Sequence, residues 1–251
     1  MYTLNFLYFL WGLIFGSFIN VLRFRLPDNL SIIKPRSFCP NCKYSIPFYR
    51  NIPLISYIHQ CGKCANCNCR ISILYPITEI SIGLIWLFAS FYFNSFNDIL
   101  YYSTIASILL CISFIDYKHF IIPLELSIFC LLFIVINLTF SGNLLDHLDG
   151  LIIGTGYLSI ILLSTWLITK RQSLGFGDIQ LTLVLGLWIG DYRVLLVIFI
   201  SAFTALIYWL LISLLDRLDN NRALPFGSFL SIVSILIFPF DFTNINFTIF
   251  L

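Results

Sequence analysis

Two aspartates stand at the ends of apolar runs, where their carboxyl groups could do chemistry. Asp116 closes one run, and Asp178 opens another within the sequence Gly-Phe-Gly-Asp. A carboxylate at the edge of a membrane-spanning segment is costly and usually functional. Two such groups at the same membrane depth can share a proton and activate a water molecule between them. The pair therefore predicts hydrolysis of an amide bond.

The residues around these carboxylates favour a peptide substrate. Gly175 and Gly177 leave the backbone before Asp178 open, so that an extended peptide can lie beside it. Asp178 alone could instead be a helix cap. Glu79 would lie about one turn into the membrane, and supporting and purely structural roles suit it equally. The sequence has no H-E-x-x-H motif and no serine or cysteine nucleophile with a matching base.

Six of the eight cysteines fall in one polar loop, in the pairs and near-pairs Cys39-x-x-Cys42 and Cys61-x-x-Cys64-x-x-Cys67-x-Cys69. Two C-x-x-C pairs about twenty residues apart can hold Zn²⁺ tetrahedrally. The second pair is either Cys61 with Cys64 or Cys64 with Cys67, and spacing alone slightly favours the first. Unliganded reduced thiols are the alternative, because a reducing compartment disfavours disulfides.

These residues are positioned by a chain that is 59% hydrophobic and only 10% charged, a composition typical of a polytopic membrane protein. We expect an all-α fold with about eight transmembrane helices and a small cytoplasmic, zinc-ribbon-like loop. The predicted domains are a first helix (1–22), a four-cysteine zinc-binding domain (23–73) and a seven-helix membrane domain with the aspartates (74–251). The apolar runs are 2–22, 74–94, 98–116, 123–140, 148–168, 178–190, 192–214 and 225–241.

The distribution of basic residues predicts the orientation in the membrane. Of the 14 lysines and arginines, eight lie between Arg23 and Arg70. By the positive-inside rule this loop is cytoplasmic, both termini face outward, and only Arg193 lies outside. Because topology already explains the basic loop, we expect no nucleic-acid binding. The segment 178–190 is too short for a full bilayer core and is predicted to be tilted or to start in a hydrated cleft.

Several motifs, in order, resemble the bacterial type IV prepilin leader peptidases over most of the chain. They are Gly16-Ser17-Phe18-Ile19-Asn20-Val21 with Arg25-Leu26-Pro27, Cys39-Pro-x-Cys42, Gly62-Lys63-Cys64-x-x-Cys67, Ile71-Ser72, Tyr75-Pro76-x-x-Glu79, Asp116 with Pro123, Gly-x-Gly-Asp178 with Leu181, and Pro225-Phe226-Gly227. The resemblance implies that Cys39, Cys42, Cys64 and Cys67 bind the metal and that Cys61 and Cys69 are extra. Leu124 and Gln180 depart from residues common in the family.

The resemblance implies two activities. One cleaves a short basic leader from prepilins and pseudopilins at the cytoplasmic face of the bacterial inner membrane, with Asp116 and Asp178 as the catalytic pair. The other methylates the new amino terminus with S-adenosylmethionine, whose binding residues the sequence does not indicate. The alternatives are a presenilin-like protease that cuts within the bilayer and a non-enzymatic transporter or scaffold with a zinc knuckle.

Overall fold

The computed structural model describes residues 2–170, 175–190, 192–215 and 223–240, and these residues form a helical protein. Their helices are α1 (Tyr2–Arg25), α2 (Ile55–His59), α3 (Leu74–Tyr92), α4 (Phe96–His119), α5 (Leu124–Ser141), α6 (Leu144–Thr169), α7 (Phe176–Ile189), α8 (Arg193–Leu215) and α9 (Phe226–Ile237), with a 3₁₀ turn at Phe48–Arg50. Within the described ranges, extended structure is limited to two isolated bridges. The all-α prediction is confirmed.

Eight of these helices are apolar, and they match the eight predicted segments closely. Six are long and apolar enough to cross a membrane, whereas α7 and α9 have 14 and 12 residues. The shortness of α9 was not predicted. Its helix ends before Pro239, which cannot continue it, and α7 ends at Gly190, which has a left-handed φ of 85°. The predicted inward-facing residues Arg171, Arg217 and Arg222 lie outside the described residues.

The chain forms two compact units, Met1–Ile115 and Asp116–Leu251. In the first unit, α1 packs along α3, and glycines allow a close approach of the two helices. A Cβ atom at Gly16 would lie 2.7 Å from the Glu79 Cα atom, and one at Gly12 would lie 2.7 Å from the Gly83 Cα atom. The glycines of α1 therefore bring its backbone against the helix that carries Glu79.

In the second unit, α7 packs against α5, α6, α8 and α9. Its residues from Leu181 to Ile189 are almost all buried. Gly186 lies against the backbone of Gly150 on α6, as expected for small residues at a helix contact. Trp188 stacks on Phe238 with ring centroids 4.2 Å apart. The helix whose first turn carries Asp178 is thus held on several sides. The predicted domain boundaries at 22/23 and 73/74 stay predictions.

Candidate active site and metal-binding loop

Asp116 lies in the last turn of α4 and is buried, with 5% of its surface exposed. Its Oδ2 atom accepts two hydrogen bonds from Ser228, one from the backbone N–H at 2.7 Å and one from the hydroxyl at 3.0 Å. The backbone N–H groups in the first turn of a helix lack intrahelical partners. Asp116 therefore accepts from a backbone donor at the start of α9, and its two contacts with Ser228 fix the orientation of the carboxyl group.

The segment before Ser228 explains how the carboxyl group approaches so closely. Pro225 precedes α9, and Gly227 is its second residue. A Cβ atom at Gly227 would lie 3.2 Å from the Asp116 Oδ2 atom and 2.7 Å from the Ile122 Cδ1 atom. Glycine therefore leaves room for the carboxyl group. Sequence reasoning identified the Pro-Phe-Gly motif but missed Ser228, the residue after it, which makes the contact.

Asp178 is the third residue of α7. Its Oδ2 atom accepts a hydrogen bond of 3.2 Å from the backbone N–H of Gly175. The carboxyl group thus caps its own helix, which the sequence left open as an alternative explanation for this residue. Its side chain is nevertheless only half-buried, so that it remains accessible. The capping contact holds the group in place without enclosing it.

Both aspartates line one cavity of about 1120 Å³ in the second unit. Gly175 and Gly177 form part of its wall. Gln180 also lines this cavity. Glu79 belongs to the first unit and lines a separate, smaller cavity there.

The cysteine loop contains two backbone knuckles of the same geometry, 25 residues apart. In the first, the N–H of Cys39 donates to the Tyr44 carbonyl, and Cys39 accepts from Lys43 N–H, both at 2.9 Å. In the second, Cys64 makes the same two contacts, with the Cys69 carbonyl and the Asn68 N–H, again at 2.9 Å. Each knuckle has a bridge at its base, between Phe38 and Ser45 and between Lys63 and Arg70.

This equivalence bears on which cysteines are ligands. It matches Cys39 with Cys64 and Cys42 with Cys67, and it puts Cys69 at the position of Tyr44. The repeated geometry favours Cys64 with Cys67 as the second C-x-x-C pair, the one that the family resemblance implies, over Cys61 with Cys64. Cys61 is exposed.

The sulfur atoms crowd closely enough for one metal ion. The Sγ atoms of Cys39, Cys64, Cys67 and Cys69 all lie within 4.8 Å of one another. Cys42 is outside that set, but its Sγ atom lies 4.0 Å from that of Cys64. Four thiolates about 2.3 Å from Zn²⁺ would be roughly 3.8 Å apart. Five thiols are thus candidates for the four ligand positions around one ion. By the distances between sulfur atoms alone, the set of four contains Cys69 and not the predicted Cys42.

The pKa values of the thiols divide these cysteines into two groups. Backbone N–H donors lower the pKa of Cys42, Cys64 and Cys67, which favours the thiolate that a metal needs. Hydrogen bonding with the Cys67 and Cys39 side chains raises the pKa of Cys69 to about 12. Burial raises the pKa of Cys39 as well, so a raised pKa is shared by Cys69 and one of the predicted ligands. The loop fits a zinc ion held by four of these five residues.

Comparison with known proteins agrees with the motifs. A family model for the bacterial peptidase A24 N-terminal domain matches residues 10–93, and one for the type IV leader peptidase family matches residues 103–210. No solved structure matches the chain.

Several curated relatives bear the name prepilin leader peptidase/N-methyltransferase. The one from Bacillus subtilis (strain 168) is 30% identical, over 96% of this chain and 96% of its own length. The one from Legionella pneumophila is 29% identical, over 90% and 88%. The one from Myxococcus xanthus (strain DK1622) is 33% identical over 77% of this chain, which spans 58% of that relative. With its helical membrane fold, its cysteine loop and its two aspartates on one cavity, the chain belongs to the type IV prepilin leader peptidase family of membrane enzymes.

Proposed function

We propose that the protein cleaves the leader of type IV prepilins and pseudopilins with Asp116 and Asp178, and that it methylates the new amino terminus. The observation that carries the cleavage proposal is the cavity lined by both carboxyl groups in the second unit. The relatives' printed name supports the same pair of activities. It disfavours the presenilin-like and non-enzymatic alternatives.

In the proposed mechanism the two aspartates share one proton. The ionised carboxylate takes a proton from water as the water attacks the scissile carbonyl carbon. The protonated carboxyl group donates a hydrogen bond to the carbonyl oxygen. The proton taken from water is then passed to the amide nitrogen as the C–N bond breaks, which releases the leader and the new amino terminus. Ser228 holds the Asp116 carboxyl and the Gly175 N–H holds that of Asp178, so that neither group must reorient during the attack. No acyl-enzyme forms, and the pair titrates as a unit.

The open backbone at Gly175 and Gly177 supports binding of the substrate as an extended peptide. Both glycines line the cavity beside Asp178. A Cβ atom at Gly177 would lie 3.3 Å from the Ile122 side chain, so the strip has little room for a larger residue. We propose that the segment around the scissile bond lies along this strip, on the cytoplasmic side of a bacterial inner membrane.

Zinc and S-adenosylmethionine are the proposed cofactors. Zinc bound by Cys39, Cys42, Cys64 and Cys67 would join the two knuckles of a loop that has few apolar contacts of its own. It would therefore be structural. S-adenosylmethionine would supply the methyl group, and no described residue is assigned to bind its nucleoside.

Asparagine variants of the two aspartates test the cleavage proposal. Asp116→Asn and Asp178→Asn should each abolish cleavage of a co-expressed prepilin, because an amide can serve neither as base nor as acid. The double variant should be little worse than either single one, since the residues act as a unit. Both variants should still methylate a pilin supplied without its leader. Mass spectrometry of the pilin amino terminus measures both activities, and substantial cleavage by either single variant would refute the dyad.

A further inference from the structure

The first unit contains a small second cavity, of about 80 Å³, where the end of α1, the start of α3 and the cysteine loop meet. Asn20 and Glu79 line it, with 2% and 7% of their surfaces exposed. A buried polar group is costly unless it is hydrogen-bonded, and a buried charge is costly unless it is also paired. The contacts of these two side chains therefore indicate what the cavity binds.

Asn20 has an acceptor without a partner. Its Nδ2 atom donates to the Tyr75 carbonyl at 3.0 Å, which fixes the orientation of the amide because a carbonyl can only accept. Its Oδ1 atom is buried and has no hydrogen-bond partner. A residue that lines the cavity thus carries an acceptor that no donor of the described chain satisfies.

Glu79 has neutral hydrogen-bond donors, and within the described ranges it makes no ion pair. Its Oε2 atom accepts from the Leu54 backbone N–H at 2.9 Å, and the Ser17 side chain donates to the same carboxyl group. Arg25 also lines the cavity, but its guanidinium donates to the carbonyls of Ser31, Ile32, Pro35 and Arg36. The guanidinium of Arg25 therefore holds the loop in place, and it does not pair with Glu79.

We propose that this cavity binds the α-ammonium group of an amino-acid residue. An ammonium group has three N–H donors and a positive charge, which complement the carboxylate of Glu79 and the lone acceptor of Asn20. The apolar walls at Val21, Phe24 and Phe38 suit the side chain of an apolar residue. A cavity of about 80 Å³ holds an ammonium group and the atoms next to it, but not a nucleoside.

This inference rests on the proposed methylation, because that reaction brings two α-ammonium groups to the protein. One is the amino terminus of the cleaved pilin, and the other is on the methionine part of S-adenosylmethionine. Gly16 is a requirement of the site, since any side chain there would displace the helix that carries Glu79. The site uses residues of the first unit only, whereas the proposed cleavage residues belong to the second.

Direct binding to the full-length protein in detergent tests the proposal. The probes are a Phe-initiated pilin peptide with a dye at its carboxyl end, the same peptide acetylated at its amino terminus, and S-adenosylhomocysteine. The variants are Glu79→Gln, which keeps the shape of the side chain, and Glu125→Gln, a matched control at an exposed carboxylate. Zinc content and leader cleavage report whether each variant is folded.

We expect Glu79→Gln to weaken binding of one α-ammonium probe by about tenfold or more, the loss of a charge-assisted hydrogen bond, while Glu125→Gln binds like the wild type. If Glu79→Gln binds the free-amine peptide more weakly than the wild type does, and the wild type binds the acetylated peptide more weakly than the free one, the site is assigned to the pilin. Weakened binding of S-adenosylhomocysteine alone assigns it to the methyl donor. Unchanged binding of both probes by a folded Glu79→Gln protein overturns the inference.

Different results would refute the proposed function and the proposed ammonium site. A wild-type protein that neither cleaves nor methylates a pilin refutes the proposed function. A wild-type protein that methylates normally but binds free and acetylated peptides equally, with S-adenosylhomocysteine binding insensitive to Glu79→Gln, refutes only the ammonium site. If the Glu79→Gln protein does not fold, the wild type is tested with S-adenosylhomocysteine and its N-acetylated form in addition to the two peptides, and equal binding within both pairs overturns the inference.

Discussion

Ser228→Ala removes one of the two hydrogen bonds that orient Asp116. The variant loses the hydroxyl donor at 3.0 Å and keeps the backbone N–H donor at 2.7 Å. A hydrogen bond to a charged group contributes about 1.5–3 kcal/mol. If this full contribution is made in the transition state and not in the free enzyme, the loss of the hydroxyl lowers the cleavage rate by about 10- to 150-fold. The surviving N–H bond should keep the rate above that of Asp116→Asn.

Ser234→Ala is the matched control for this prediction. Ser234 lies on the same helix and is fully buried, but its hydroxyl donates to the Leu230 carbonyl at 2.6 Å, within α9. Single-turnover cleavage of a purified prepilin, followed by gel shift, measures the chemical step apart from product release. Equal rates for Ser228→Ala and the wild type, or an equal loss in Ser234→Ala, would show that Ser228 does not position Asp116 for catalysis.

The remaining predictions concern the metal and the orientation of the loop. We expect about one zinc ion per chain, as measured by metal analysis after gel filtration. Cys42→Ser should lose most of the zinc, whereas Cys69→Ser and the exposed control Cys61→Ser should keep it. Zinc loss in Cys69→Ser with retention in Cys42→Ser would instead assign the fourth ligand to Cys69. A cysteine introduced at the exposed Asn51 should resist an impermeant thiol reagent in intact cells and react after lysis, because the basic loop is expected to be cytoplasmic. Labelling of this cysteine in intact cells would show that the loop faces outward and would refute the predicted topology.

Local sequence was enough for much of the architecture. Long apolar runs specify membrane helices because the backbone must satisfy its own hydrogen bonds in lipid. The predicted segments consequently match the eight apolar helices to within a few residues at most ends. The largest differences, of four residues each, are at the start of α6 and at the end of α9, where the helix stops before Pro239. An apolar run indicates which residues favour lipid. Where a helix ends depends on whether individual backbone N–H and C=O groups can still form hydrogen bonds.

The cysteine loop shows where sequence spacing reaches its limit. Spacing identified a four-thiol site but left two candidate pairs in the second half. The repeated knuckle geometry favours Cys64 with Cys67, because each pair begins at a cysteine whose N–H and carbonyl close the same turn. Family motifs indicated the same set. Neither could show that the side chain of Cys69 would enter the cluster, since that depends on how the two knuckles face each other.

The sequence by itself determined that this is a helical membrane protein, with carboxylates at helix ends and paired cysteines in a basic loop. Only the tertiary structure showed what those groups contact. Ser228 lies 112 residues from Asp116, and Asn20 lies 55 residues from Tyr75, yet each pair is joined by hydrogen bonds. Helical periodicity and turn chemistry act over a few residues, so they place polar groups along the chain. Which of these groups meet, and which are left without a partner, is decided by the packing of helices distant in sequence.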